Sequence, residues 1–153
     1  MNESFGRLSE CDQIEVEVVQ MKIDGACHCG LITFQAEIDP EKVRVCHCTD
    51  CQSFSGSAFR VNVPVPADKF SLSGEPTVYV KTADSGARRA QAFCPKCGSP
   101  IYAAPADVTP ASYFIRVGTI RQRSELPPKI QIWTRSAQPW VEDLASVPRI
   151  EKQ

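Results

Sequence analysis

The stretch Cys46-His47-Cys48-Thr49-Asp50-Cys51 places three thiols within six positions, a density that an apolar core does not call for. Two further pairs flank it, Cys27-His28-Cys29 upstream and Cys94-Pro95-Lys96-Cys97 downstream, so seven of the eight cysteines fall into CxC, CxCxxC and CxxC clusters. Such spacings suit zinc. A structural zinc takes four protein ligands and a catalytic one about three, with a position left for water or substrate. Seven thiols therefore divide as four plus three, giving one site of each kind. Two sulfurs on one zinc lie about 3.8 Å apart, from bonds of about 2.3 Å and tetrahedral angles, which each cluster can reach if its backbone turns. Cys46, Cys48 and Cys51 then hold the catalytic ion and Cys27, Cys29, Cys94 and Cys97 the structural one. The alternative is a mixed arrangement in which one site borrows a histidine.

An ion held by three thiolates is electron-rich and activates water less well than a zinc on neutral imidazoles, whose bound water has a pKa of about 7. A soft site prefers a further sulfur, and a coordinated thiol is deprotonated into a nucleophile. A small thiol is the expected substrate. The competing reading closes the second site with a fourth protein ligand and leaves both metals structural. His28 and His47 each sit in the middle of a CxC, where an extended backbone points them away from the flanking thiols, behind the ligands or at the surface. His47, beside the open site, is the candidate for proton transfer. Asp50 could serve as acid or base, or cap a helix. Arg44, Arg60, Arg88 and Arg89 could meet an anionic substrate, although surface solvation is the commoner use of arginine. Phe54, Phe59, Trp133 and Trp140 line a pocket or fill the core, and their area favours the core.

The elements that must position these groups read as strands and turns. Gly25 and Gly30 bracket the first CxC, and 31–37 follows as a strand rich in β-branched and aromatic residues. Val43-Arg44-Val45 is a short strand delivering Cys46. Thr49-Asp50-Cys51-Gln52 has the form of a capping box and Gly56 that of a terminator, so 50–54 is predicted as one helical turn with Cys51 near its N-terminus, where a thiolate is favoured. Further strands are predicted over 58–63, 77–81, 89–93, 113–117 and 130–134. Twelve prolines, placed mostly between these runs, argue for a mainly β domain with irregular connections. Phe93-Cys94-Pro95-Lys96-Cys97-Gly98 has the form of a zinc knuckle. Ile14-Glu15-Val16-Glu17-Val18 alternates like a half-buried strand, and Cys11 has no partner at ligand spacing.

With 153 residues the chain fits one domain. We expect residues 1–20 to be an extension, 21–145 a zinc-binding β domain and 146–153 a tail. Lys plus Arg number 17 against 18 Asp plus Glu, for a net charge of −1, and no basic run suggests nucleic acid as a partner. The first twenty residues hold no apolar segment of the kind a secretory signal or membrane span requires, so a cytoplasmic protein is expected. In a reducing compartment clustered cysteines bind metal or do chemistry rather than form disulfides. Oligomeric state is not legible.

Three ordered motifs carry a resemblance. Gly25-Ala26-Cys27-His28-Cys29-Gly30, then Cys46-His47-Cys48-Thr49-Asp50-Cys51 with Ser55-Gly56-Ser57-Ala58-Phe59, then Phe93 to Gly98 resemble the glutathione-dependent formaldehyde-activating enzyme and centromere protein V family, from about Lys22 to the Trp140 region. The resemblance implies a β-tent of small antiparallel sheets with two zincs, structural on Cys27, Cys29, Cys94 and Cys97 and catalytic on Cys46, Cys48 and Cys51. It also implies a carbon-sulfur lyase joining formaldehyde and glutathione reversibly into S-hydroxymethylglutathione. The alternatives are a non-enzymatic zinc module that binds a partner and a zinc-thiolate redox sensor.

Overall fold

A computed structural model describes residues 19–83 and 85–152. Residues 14–18 and Cys11 lie outside the described residues. Ten strands and one α-helix follow in order: β1 Met21–Ala26, β2 Thr33–Ile38, β3 Arg44–Cys46, α1 Thr49–Ser55, β4 Arg60–Pro66, β5 Phe70–Ser73, β6 Thr77–Thr82, β7 Arg88–Phe93, β8 Pro100–Pro105, β9 Ser112–Arg116 and β10 Ile130–Ile132. Short 3-10 turns connect several of them, the longest at Pro139–Ser146. The chain is mainly β, as expected.

The strands form two sheets, one ordered β1-β2-β5 and the other β10-β3-β4-β9-β8-β7-β6. Every pairing is antiparallel except β10 with β3, which is parallel. Period-two alternation turns one face of each sheet inward. Ile23, Phe34, Ala36 and Ile38 from the small sheet meet Val63, Val65 and Ile115 from the large one, and Ile32, Val43, Ile101, Ile120 and Leu126 close the core from the connections and from β8. Fully burying such side chains is worth roughly 1.5–3 kcal/mol each, so the core does not depend on metal for its apolar driving force.

The prolines do not all fall between strands. Pro64 and Pro66 lie inside β4, opposite Phe114 and Ser112 of β9. They are tolerated because β3 pairs β4 only over Arg60, Val61 and Asn62, so beyond Asn62 one side of β4 is a free edge that needs no N–H donor. Strands β1, β5 and β8 were not predicted. In β1 the alternation ends in Gly25, whose added Cβ would lie 2.2 Å from Cζ of Phe34 and 2.4 Å from the carbonyl oxygen of Thr119. Glycine is required there by close approach between the small sheet and the turn after β9.

Candidate metal centres and the adjoining cleft

Both cysteine groupings assemble as the spacing implies. Ligand atoms of Cys27, Cys29, Cys94 and Cys97 all lie within 4.8 Å of one another, and so do those of Cys46, Cys48 and Cys51. The four-cysteine cluster joins the β1–β2 turn to the β7–β8 turn. Its sulfurs are 3.6 Å apart for Cys27 and Cys29 and 3.7 Å apart for Cys29 and Cys94, close to the separation that one tetrahedral zinc imposes. The amide of Ile32 donates to Sγ of Cys27 at 3.2 Å, and Sγ of Cys97 lies 3.3 Å from Oγ of Ser99. Such contacts favour thiolate sulfur, so this donor set fits a closed, soft-metal site.

The triad is assembled by β3 and α1. Cys46 ends β3, and Cys48, not Thr49, is the N-cap of α1, its Sγ accepting from the amide of Cys51 at 3.4 Å. The thiol takes the role that the capping-box reading gave to threonine. At the other end Gly56 adopts φ 60 and closes the helix, as its position suggested. Gln52 does not complete a capping box. Its Nε2 donates to the carbonyls of His47 (2.7 Å) and Ser136 (2.8 Å), and its Oε1 accepts from Gln138 (2.9 Å), clamping α1 to the segment after β10.

Crowded sulfurs cannot all ionise without a counter-charge. Cys46 is drawn down to about 6, chiefly by its hydrogen bond with Cys51, while that bond and burial push Cys51 far above the usual thiol range. Burial also raises Cys48. A divalent cation would relieve this repulsion and convert all three to ligands. Among the described residues no fourth histidine, cysteine or carboxylate oxygen joins the triad.

The histidines stand apart from the sulfurs. His28 is exposed, its backbone amide donating to Oγ of Ser99 at 3.0 Å. His47 is not at the surface but 1 % exposed, its Nε2 2.7 Å from Oε1 of Gln131 and its ring packed against Phe59. It does not line the cleft that holds the triad. The backbone amide of His47 donates to the carbonyl of Ile132 at 3.0 Å, so this residue anchors the ligand loop from behind. Asp50 lines the cleft and pairs with Lys81.

That cleft, of about 540 Å³, is floored by one face of the large sheet. Strand register shows why: Cys46 stands opposite Arg60, Asn62 opposite both Arg44 and Arg116, Ala103 opposite Phe114 and Gln91, and Lys81 opposite Arg89. Side chains of directly paired residues share a face. Arg60 and Arg116 are therefore buried floor residues rather than surface solvation, each only 6 % exposed. Both donate to Oε1 of Gln91, Arg60 from Nη1 at 3.2 Å and Arg116 from Nη2 at 2.8 Å. Burial holds Arg60 below the ordinary range; burial and then the charge of Arg60 lower Arg116 to about 9, so both remain cationic at neutral pH. The guanidiniums of Arg44 and Arg89 both lie over the Phe114 ring, 5.5 and 5.2 Å from its centroid. Arg88 faces solvent and pairs with Asp107.

Aromatic placement also departs from expectation. Trp133 and Trp140 are 53 % and 55 % exposed, outside the core. Trp133 lines the cleft with φ 59, a left-handed backbone for a bulky residue, and carries Arg135 over its ring. Strain of this kind is concentrated at functional sites. Phe54 lines the cleft from α1, with the Arg60 guanidinium 5.4 Å from its ring centroid. Arg116 was missed from the sequence. In Arg60-Val61-Asn62-Val63 and Ile115-Arg116-Val117 the polar residues alternate with apolar ones that lie in the core or pack against it, and that was the available signal.

Comparison with known proteins supplies context. The family model described as glutathione-dependent formaldehyde-activating enzyme matches residues 22–136. No curated protein matches the chain. A crystal structure of a Rhodobacter sphaeroides protein is similar at 17 % identity and a TM-score of 0.55, covering 71 % of this chain and 98 % of that one. At that identity the likeness is one of fold.

Proposed function

Because the chain belongs to the glutathione-dependent formaldehyde-activating enzyme family, we propose that it is a cytoplasmic carbon-sulfur lyase that adds a small thiol, glutathione, to formaldehyde and reverses that addition. The observation that carries this reading is three thiols gathered at the wall of a cleft, with no fourth histidine, cysteine or carboxylate group joining them among the described residues. The proposal includes two zincs per chain, structural on Cys27, Cys29, Cys94 and Cys97 and catalytic on Cys46, Cys48 and Cys51. Bound at the triad, zinc supplies the positive charge that keeps an incoming thiol ionised and nucleophilic at neutral pH.

The protein's own groups do the rest. Cys46, Cys48 and Cys51 hold the ligand geometry, fixed by the end of β3 and the first turn of α1. The cationic floor attracts an anionic thiol and raises its local concentration. Phe54, Phe114 and Trp133 supply apolar walls. As sulfur bonds to the carbonyl carbon, the π pair moves to oxygen and that oxygen takes up the proton the thiol released. The addition needs no oxidant and expels no group. His47, behind the ligand loop, is proposed as a positioning residue rather than the proton carrier.

The experiment is a zinc count on the purified chain followed by titration with glutathione, then detection of the hydroxymethyl adduct by NMR on adding formaldehyde. Two zincs, one responding to glutathione, and adduct exchange faster than the uncatalysed rate are expected. A single zinc, or two that both ignore the thiol, overturns the reading.

A further inference from the structure

Arg60 and Arg116 place two buried positive charges side by side, and Gln91 offers them one neutral oxygen. Asp50, the acid that lines the cleft among the described residues, is paired with Lys81. Charge balance with the triad is the first explanation to weigh. Three thiolates and a divalent zinc sum to one negative charge, which offsets one guanidinium and leaves the other, before Arg44 and Arg89 are counted. Hydrogen bonding is also incomplete, because Nε and Nη2 of Arg60 and Nε of Arg116 are buried without an acceptor. Buried donors are seldom left so, and a guanidinium fork matches a carboxylate through two parallel hydrogen bonds.

Position in the sheet sets the size of the ligand. Arg60 sits beside Cys46 on the adjoining strand β4, and Arg116 one strand further on β9. With neighbouring strands about 4.8 Å apart, β9 lies about 10 Å from the strand that carries Cys46. Beyond it Ala103 on β8 keeps the floor low between Arg116 and Gln91. A carboxylate on the carbon next to the sulfur covers only a small part of that span. One attached a residue further along a peptide, on the order of 7 Å from the sulfur, covers most of it and leaves the rest to the length of the arginine side chains.

We propose that Arg60, Arg116 and Gln91 form a carboxylate receptor on the cleft floor, selecting thiols whose carboxylate lies about one peptide unit beyond the cysteine. In glutathione that group is the glycine carboxylate. The inference rests on the thiol-binding reading of the triad and adds the feature of the thiol that the chain recognises. Arg60 and Arg116 are specificity residues and take no part in bond making.

The test measures binding without aldehyde, so that it stands apart from turnover. Zinc-loaded protein is titrated by calorimetry with glutathione, with glutathione amidated at glycine, with cysteinylglycine and with cysteamine. A charge-assisted hydrogen-bonded pair should make glutathione bind between about tenfold and a hundredfold more tightly than its amide, with cysteinylglycine keeping that preference and cysteamine binding weakly. Arg116→Gln and Arg60→Gln should bring acid and amide to within about twofold, whereas Arg88→Gln, which removes an exposed charge paired with Asp107, should leave the preference intact. Equal binding of acid and amide by the unaltered protein overturns the proposal, and this arm holds even if a buried arginine variant fails to fold. Persistence of the preference in both folded variants also overturns it. Absence of binding by every thiol instead removes the reading on which the proposal rests.

Discussion

Cys48 performs two tasks with one sulfur, and substitution separates them. It caps α1 through the amide of Cys51 and stands in the three-cysteine group proposed to hold zinc. Serine is a good N-cap but a poor soft-metal ligand, whereas alanine is neither. Cys48→Ser should therefore match the parent in unfolding free energy to within about 0.5 kcal/mol when the triad is free of metal, and Cys48→Ala should lose about 1 kcal/mol more. Both should lower turnover by more than roughly a hundredfold, since loss of a group merely supporting a ligand costs about 10–100-fold. Paired denaturant curves and adduct-exchange rates check this, and a Cys48→Ser protein with full activity would remove the triad from catalysis. The contrast with His47 is instructive. Its buried ring, bonded to Gln131 and packed on Phe59, braces β10.

Among the elements, β1 depends most on a single residue. Gly25 is forced by contact, not by its backbone angles: a methyl group there meets the Phe34 ring, which can turn, and the Thr119 carbonyl, which cannot. Overpacking costs about 1–3 kcal/mol, and the backbone obstacle places Gly25→Ala toward the upper end. The denaturant midpoint should fall with an unchanged m-value; an unchanged midpoint would mean that β1 and the turn after β9 do not pack this closely. Gly25 was read from sequence as a glycine framing a metal loop, and the reason for its identity lies across the fold, where local pattern is silent. The same limit explains the other differences. Strands 77–81, 89–93 and 113–117 were legible to within about two residues because alternation is local. The prolines of β4 misled because their tolerance depends on where β3 stops pairing. The cysteine groupings were legible because zinc stoichiometry is itself a non-local rule written in residue counts. The cationic floor was legible only as an alternative for Arg44, Arg60 and Arg89, and Arg116 was missed, since a net charge of −1 averages away a face that only strand register assembles.

At the scale of the whole molecule the two cysteine groupings differ in what they connect. The triad spans six consecutive positions within one loop and helix start, so a metal held there would constrain little of the chain. Cys29 and Cys94, 65 positions apart, lie in one cluster, which joins the turn of the small sheet to a turn of the large one. Ligand number differs in the same sense, three thiols at the cleft wall against four in the cluster, whereas access does not separate them, since Cys46 is buried in the one and Cys29 exposed in the other. A structural zinc contributes about 10–16 kcal/mol of apparent binding free energy at pH 7, comparable to or larger than the roughly 5–15 kcal/mol that stabilises a typical domain. Chelation should therefore proceed in two phases. The triad metal should leave first, abolishing adduct exchange while near-ultraviolet circular dichroism is preserved, and the second metal should leave slowly with loss of that signal as the sheets separate. Excess glutathione should slow the first phase by occupying the triad's open position and leave the second unchanged. Zinc release followed with a chromogenic chelator, in parallel with circular dichroism, reads both phases. Release in a single phase, or tertiary structure lost together with the first zinc, would show that the two metals bear on the fold alike and that the triad is a structural site.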